Sequence, residues 1–423
     1  MRLSPRAFSI AAVAALALPA PGALAQEAGD PAPAPPAPAP APPAPVPAPP
    51  APSAEPVGPP DPLQTPPAKK ESKFHRNFFD ETDGKLDFSN FLAKGGFFPM
   101  PVIITEPAVD GGFGVVAQFI TVNKDDPKRT TRRMLGAVKT GNGSYGYGYF
   151  QSGSAFDDRV SYKFGVGRGK VTLKAYPDIL PSGLEYTNKY DYGALASVRL
   201  HLADSRFSLG PLFDFRKLHS RIDLDIEDLP ERFSDFERKL KTGALGFGVH
   251  FDSRDNAMTP TEGLNIYAEG KFNDGAFGSD RDFQIYDVHG YGFHKLSPEW
   301  RLGAKVEVDA IRGHYPVYFA SSINLRGIEA RRYQGETAVS TELEITRQIS
   351  PRWALLGFAG LGFTDAGGAR IFDNSGAKIA GGGGFRYRIA RKLGLDAGID
   401  VAYGPSGAVF YLQFGHAWAF NLD

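Results

Sequence analysis

The chain has 423 residues, in which 47 Lys and Arg balance 47 Asp and Glu, and it contains no cysteine. The charge balance removes a global electrostatic case for nucleic acid as a partner, and the missing cysteines remove disulfides, thiol catalysis and cysteine-based metal sites. Beyond the N-terminus no stretch approaches the roughly 18 apolar residues of a membrane helix, so a bilayer-spanning form of this chain has to be a closed β-barrel, whose alternating strands are compatible with a mean hydropathy of −0.25.

Residues 1–25 read as an export signal, with Arg2 and Arg6 in a positive leader, an apolar core from Ala11 to Leu18 and an Ala23-Leu24-Ala25 cleavage site before Gln26. Residues 26–70 follow as a Pro/Ala-rich segment that cannot build a core and is expected to be disordered, with polyproline II character. Two readings stand for it: a periplasmic spacer, or a tail of no special length. Residues 71–97 form a short periplasmic lead-in, in which Asp80-Glu-Thr-Asp-Gly84 misses the spacing of a calcium loop and reads as a turn.

From there the chain alternates with a period of two between turn residues, the signature of strands with one apolar face. The expected strands are 98–106, 111–122, 130–140, 143–153, 158–173, 185–202, 206–224, 239–253, 262–273, 281–294, 299–313, 336–348, 352–364, 378–390, 393–403 and 407–420. The fold class is therefore all-β, a 16-stranded antiparallel transmembrane barrel over residues 98–423, and an even count leaves both ends on the periplasmic side. Short links at Ala203–Ser205, Ser297–Trp300, Ser350–Trp353 and Ala390–Lys392 alternate with the longer 174–184, 225–238, 314–335 and 365–377, as turns and loops at opposite ends should. Trp300, Trp353 and Trp418 near strand ends suit an aromatic girdle.

Pro99 and Pro101 lie two apart, so both missing N–H groups point the same way. If they sit inside the first strand, its seam with the last strand, which begins at Gly407, is short of hydrogen bonds. If the strand starts at Val102, both prolines precede it. In the last strand Phe410, Leu412, Phe414, Trp418 and Phe420 share one parity. Its Gln413-x-Gly415-x-x-Trp418-x-Phe420 pattern resembles the C-terminal insertion signal of bacterial outer-membrane barrels, which implies insertion by the cell's barrel-assembly machinery.

Three further segments carry a family resemblance. Phe251-Asp-Ser-Arg-Asp-Asn-Ala-Met-Thr-Pro-Thr-Glu-Gly263 is similar to the D-x-R-D-N…P-x-x-G turn of the Omp85 superfamily, the BamA/TamA-like barrels. Asn324-Leu-Arg-Gly-Ile328 resembles that family's R-G loop tip, and Thr341-Glu-Leu-Glu-Ile-Thr346 with Gly362-Phe-Thr-Asp-Ala-Gly367 resembles its glutamate strand and DAG strand end. The departure is Ile328, where the family usually has an aromatic. A guanidinium folded into a lumen needs carboxylates, because it cannot lose its charge. Strand twelve turns Glu342 and Glu344 to its polar face, and Glu344 and Asp365 align with the family's acidic pair. The expectation is that Arg326 and Gly327 pin the loop inside the barrel through Glu344 and Asp365. Asp252, Arg254, Asp255 and Gly263 are either a fixed polar cluster beneath the barrel or plain turn chemistry.

The resemblance implies an outer-membrane barrel that assists insertion or translocation of protein or lipid at a weak first-to-last seam, with the bilayer and client proteins or lipids as partners. Residues 26–97 leave no room for a βααββ periplasmic module, which points to the subgroup without POTRA domains. The alternative is a loop-plugged pore or structural barrel. The eight histidines are dispersed and no HExxH or GxSxG occurs, so no catalytic residue, metal site or cofactor is expected. Gly381–Gly384 lacks the lysine and helix of a phosphate loop and reads as a bend or a close approach to the luminal loop.

Overall fold

The structure is a computed structural model that describes residues 77–92, 96–122, 130–175, 184–202, 205–223, 235–365, 371, 376–392 and 394–418. The export signal, the Pro/Ala segment, Gly367 and Phe420 lie outside these residues.

Among the described residues sixteen strands form one sheet, each antiparallel to the next in chain order. They are β1 Gly96–Ile104, β2 Gly112–Val122, β3 Thr130–Thr140, β4 Tyr145–Ala155, β5 Val160–Ala175, β6 Leu184–His201, β7 Phe207–Asp223, β8 Asp235–Asp252, β9 Gly263–Asn273, β10 Phe283–Lys295, β11 Trp300–Gly313, β12 Thr337–Gln348, β13 Trp353–Thr364, β14 Lys378–Ala390, β15 Leu395–Gly404 and β16 Gly407–Phe414. A two-residue ladder, Ser321–Ser322 with Gln334–Gly335, stiffens the loop between β11 and β12. Both described ends of the chain lie at the end of the barrel with the short turns, here the turn end; the opposite end is the loop end.

The alternation sorts side chains by face. On β12, Leu343 is 59% exposed while Glu342 and Glu344 are each 2% exposed. The same holds around the sheet, where Phe119, Leu135, Tyr147, Val166, Phe247, Val288, Val306, Leu355 and Phe410 all stand outward and exposed. So large an apolar surface exceeds the few hundred Å² a soluble monomer tolerates. Hydrocarbon accommodates it, provided strand ladders satisfy the backbone. Among the described residues no helix is long and apolar enough to cross a membrane. The strands cross instead. Trp300 and Trp353 stand partly exposed at the turn end, as an interfacial girdle requires.

The sheet closes imperfectly. No ladder joins β1 to β16 among the described residues. β1 runs in unbroken register with β2 from Gly96↔Ile120 to Ile104↔Gly112, through Pro99↔Ala117 and Pro101↔Val115. Both prolines therefore lie inside the strand. In an antiparallel ladder alternate residues turn both backbone groups to the partner. A proline has no N–H to give, so Pro99 and Pro101 occupy the positions turned away from β2, towards the seam. Between Phe97 and Ile103, about 20 Å of strand, this edge of β1 carries no donor.

β16 is shorter than its alternation implied. It ends at Phe414, and Gly415 (φ +76°) turns the chain into the lumen. Trp418 is 5% exposed there, against Tyr291 and Phe293 of the β10 wall. The expectation of an outward Trp418 in a strand reaching residue 420 is thus corrected. A positive φ is cheap for glycine, and burying an indole against aromatic rings gains more than leaving it at a strand end.

Candidate functional site: the luminal loop and the seam

The loop from residue 314 to 336 folds into the lumen, and Arg326 at its tip is 7% exposed. Its Nη2 donates to Glu342 at 2.8 Å and to Glu344 at 2.7 Å, its Nε to Glu342 at 3.0 Å, and its Nη1 to Asp400 of β15 at 2.8 Å. The guanidinium also lies 3.5 Å above the Phe358 ring, a cation–π contact. Asp400 is shared with Arg386 of β14, at 2.5 and 2.9 Å. Three carboxylates thus meet two guanidiniums. Trp418 Nε1 donates to Glu342 at 2.8 Å and His416 Nε2 lies 3.0 Å from Glu344, supplying the remaining donors. A buried charge is tolerable only when partnered in this way.

Gly327 (φ +91°) lets the tip lie flat on β14 and β15. A Cβ there would meet Ala380, Ala402 and Tyr403, each at 3.2 Å, and a Cβ on Gly404 would meet the Gly327 carbonyl at 2.0 Å. The wall is pared down where the loop touches it. Gly382 and Gly384 make a different close approach, to the β15 backbone and to Asp400. Ile328 is buried with Ile323, Leu325 and Ala380, so an aliphatic cluster fills the tip's packing role.

Asp365 takes no part in this contact. It follows β13 at the loop end, where its carboxylate accepts from the Thr337 N–H at 2.7 Å. The expectation that Arg326 uses Asp365 is corrected to Glu342 and Asp400 beside Glu344. Asp400 lies on the inward parity of β15, opposite Ile399 and Val401, so its facing was readable though its pairing with Arg326 was not.

The loop touches both lips of the seam. The Gly327 N–H donates to Tyr411 Oη of β16 at 2.9 Å, and the Ala330 N–H donates to Glu106, just after β1, at 3.0 Å. Gly407 (φ +105°) opens β16 at the loop end with nothing near its Cβ position. Gln413 is half-buried on the luminal parity of β16, with Val409 and Tyr411.

The barrel matches BamA from Haemophilus ducreyi lacking POTRA domains 1–3, with a TM-score of 0.54 at 12% identity, over 76% of this chain and 70% of that one. It also matches CdiB from Acinetobacter baumannii, with a TM-score of 0.51 at 11% identity, over 75% of this chain and 59% of that one. The fold is that of the Omp85-type barrels. No family model and no curated protein matches the chain.

At the turn end of the barrel, Arg254 grips Asp252 with Nε and Nη2 at 2.9 and 2.7 Å. Asp255 accepts from the backbone of Asn256, Thr261 and Glu262, and Gly263 (φ +101°) passes Ser253 too closely for a Cβ. The turn is more than local chemistry: it reaches under the barrel. Thr259 Oγ1 donates to the Gly394 carbonyl, and the His416 N–H donates to the Met258 carbonyl at 2.7 Å, holding the inward-turned C-terminal segment.

Sequence reasoning missed a second arginine cluster. Arg352, in the β12–β13 turn, is among the largest fully buried side chains. It donates to Asp80 at 2.8 Å, to Asp83 at 2.7 and 2.9 Å, and to Asp87 at 2.9 Å, and it also reaches the Arg388 carbonyl at 2.9 Å. The hydrogen bonds from Arg352 hold the Asp83 carboxyl down at about 2. Asp80 is also lowered, chiefly by the Thr82 N–H.

The lumen above the loop tip keeps a cavity of about 470 Å³, bounded by Tyr190, Arg216, Asp287, His289, Asn324 and Trp418. Asp287, His289 and Asp309 there bring three metal-type donor atoms within 4.8 Å of one another. His289 Nε2 lies 2.8 Å from Asp309 and its Nδ1 meets Tyr267 Oη, so hydrogen bonds engage both ring nitrogens.

Proposed function

We propose that this chain is an outer-membrane barrel of the BamA/TamA kind that assists insertion or translocation of protein or lipid through the seam between β1 and β16. The supporting observation is that seam: among the described residues no ladder crosses it, and β1 turns Pro99 and Pro101 towards it. Unpaired strand edges accept another strand by backbone hydrogen bonding. In hydrocarbon, where each unsatisfied group costs several kcal/mol, an incoming strand is strongly favoured over an empty edge. The turn end then faces the periplasm, with the N-terminal segment, and the loops face outward. The bilayer, client outer-membrane proteins or lipids, and the machinery that inserts the barrel are its partners; nucleic acid, cofactor and catalysis play no part in this reading.

Depletion in cells tests it. Changed abundance of other outer-membrane proteins or lipids is the expected result, and an unchanged outer membrane removes the assembly role. A disulfide between Val102→Cys and Val409→Cys, both luminal residues on the two lips, should abolish that role; full activity of the locked protein would exclude seam opening.

The luminal cavity favours one second reading, a pore plugged by the Arg326 loop. A steady conductance of the native protein in a planar bilayer supports the pore; a closed native barrel that opens erratically on Arg326→Ala supports the plugged assembly barrel.

A further inference from the structure

The lead-in is a folded element attached to the wrong side of the seam. Residues 77–88 form a hairpin closed by the Asp80 N–H to Lys85 carbonyl bond at 2.9 Å and the Asp87 N–H to Phe78 carbonyl bond at 2.9 Å, with a bridge between Phe79 and Leu86. A one-turn helix, α1 Ser89–Leu92, follows. Phe78 meets Phe88 edge-on and Phe91 at a tilt, with ring centroids 5.6 and 5.1 Å apart.

The lead-in precedes β1, yet its side chains are bonded across the seam. Arg352 of the β12–β13 turn holds Asp80, Asp83 and Asp87. In the β14–β15 turn the Arg391 N–H donates to Asp87 at 3.0 Å and its guanidinium to Asp80 at 3.0 Å. The Lys392 N–H donates to Ser89 Oγ at 3.0 Å, and its ammonium to Asn90 at 2.8 Å. The Phe88 N–H donates to the Ile389 carbonyl at 2.7 Å. Leu92 is four residue steps from Gly96, the start of β1, a reach of at most about 14 Å. The first lip is therefore tethered to turns on the far side of the second.

We propose that residues 77–92 are a strap that spans the unladdered seam at the turn end and holds β1 to the β14–β15 turn, so that the seam opens only when the Arg352 cluster releases. This rests on the reading of the seam as the working site, and it assigns that site its regulation. Ladder hydrogen bonds cannot hold these lips together, whereas a buried arginine with three carboxylates can, and it can be released as a unit.

The test uses the full chain in lipid vesicles, read by amide exchange. In Arg352→Glu the new carboxylate repels Asp80, Asp83 and Asp87. Exchange in Val102–Ile104 and in β16 should accelerate at least about tenfold, with β6 to β8 unchanged. The second arm is Ser89→Cys with Lys392→Cys in the otherwise native, cysteine-free chain. Oxidised, it should slow exchange in the same segments relative to the reduced form. Equal exchange in the oxidised and reduced pair overturns the strap, even if Arg352→Glu does not fold. Unchanged β1 exchange in a folded Arg352→Glu protein whose residues 77–92 have become protease-sensitive overturns it as well. The assembly reading fails separately: a pair that slows the seam when oxidised, in cells whose outer membrane is indifferent to depletion, keeps the strap and removes the assembly role.

Discussion

The wall from β5 to β8 and the seam between β1 and β16 close the same barrel by different physics. β5 to β8 are 16, 18, 17 and 18 residues long, and β7 stays in register with β8 from Phe207↔Phe251 to Asp223↔Asp235. β1 and β16 are 9 and 8 residues long and share no ladder among the described residues. On the long wall, closure is spread over many backbone bonds, none of which matters much alone. At the seam it is concentrated in a few side-chain clamps: the Arg326 tip, the inward-turned Trp418 segment and the Arg352 strap. Distributed closure is permanent, whereas concentrated closure can be undone at a few points. Substitutions at the clamps should therefore act on the seam and leave the long wall as it was.

The largest effect should come from Arg326→Ala. It leaves Glu342, Glu344 and Asp400, all at most 2% exposed, with one guanidinium fewer. Uncompensated buried charge of this kind costs about 3–5 kcal/mol, to be read as a lower urea midpoint of the refolded barrel. Exchange should rise in β12, β15 and β16 first. Uniform loosening from β5 to β8 would show that the two regions are not separable.

Trp418→Phe keeps most of the ring packing and removes the indole N–H from Glu342. Losing a hydrogen bond to a charged group costs about 1.5–3 kcal/mol. The same titration should show that loss, and Arg326→Ala with Trp418→Phe should be less than additive, because both act on Glu342.

Why these clamps were unevenly legible follows from what each depends on. Strand order and facing rest on a local period of two, so β9 and β11 lie within a residue of the expected 262–273 and 299–313. The same rule failed after Phe414, because alternation of residue type continues through Gly415 while its φ of +76° breaks the strand. Arg326 and Glu344 were readable as a cation at a loop tip and an inward carboxylate. Asp400 is 74 residues from Arg326. Which inward carboxylate of a neighbouring strand lies at the right height is set by barrel stagger, which no local pattern carries. Asp365 aligned with the motif yet sits beyond the strand end. The strap was invisible for the same reason: Asp80, Asp83 and Asp87 look like turn residues until Arg352, 265 or more positions away, is seen among them.

Gly404→Ala tests the close approach of loop and wall. Its Cβ would lie 2.0 Å from the Gly327 carbonyl, a backbone atom that moves only with the tip. Overpacking of this sort costs about 1–3 kcal/mol. Gly275→Ala, with nothing within 4 Å of its Cβ, is the matched control in the β9–β10 connection and should leave the titration where it was.

A smaller effect is expected from Pro101→Ala, and in the opposite direction. It returns one N–H to the free edge of β1, where a net hydrogen bond is worth about 0.5–1.5 kcal/mol. Cross-linking of Val102→Cys to Val409→Cys should become faster, and exchange in β16 slower. A slower cross-link would mean that the proline nitrogens do not face the seam.

The smallest effect is nil at neutral pH and appears only in acid. Asp83 is held at about 2 in the folded protein, below its ordinary 3.8. A carboxyl depressed by folding stabilises the folded state above its unfolded value and loses that contribution as pH falls through the folded one. The lead-in should therefore be fully docked from pH 7 down to about 4 and should let go between about 4 and 2, as Asp83 protonates and its contact with Arg352 weakens. Pepsin, which works in that range, should cut within residues 77–92 before it cuts any of the connections between β5 and β8. Cleavage in the reverse order would mean that the strap is no weaker in acid than the long wall, and that the aromatic packing of Phe78, Phe88 and Phe91 rather than the arginine cluster holds it down.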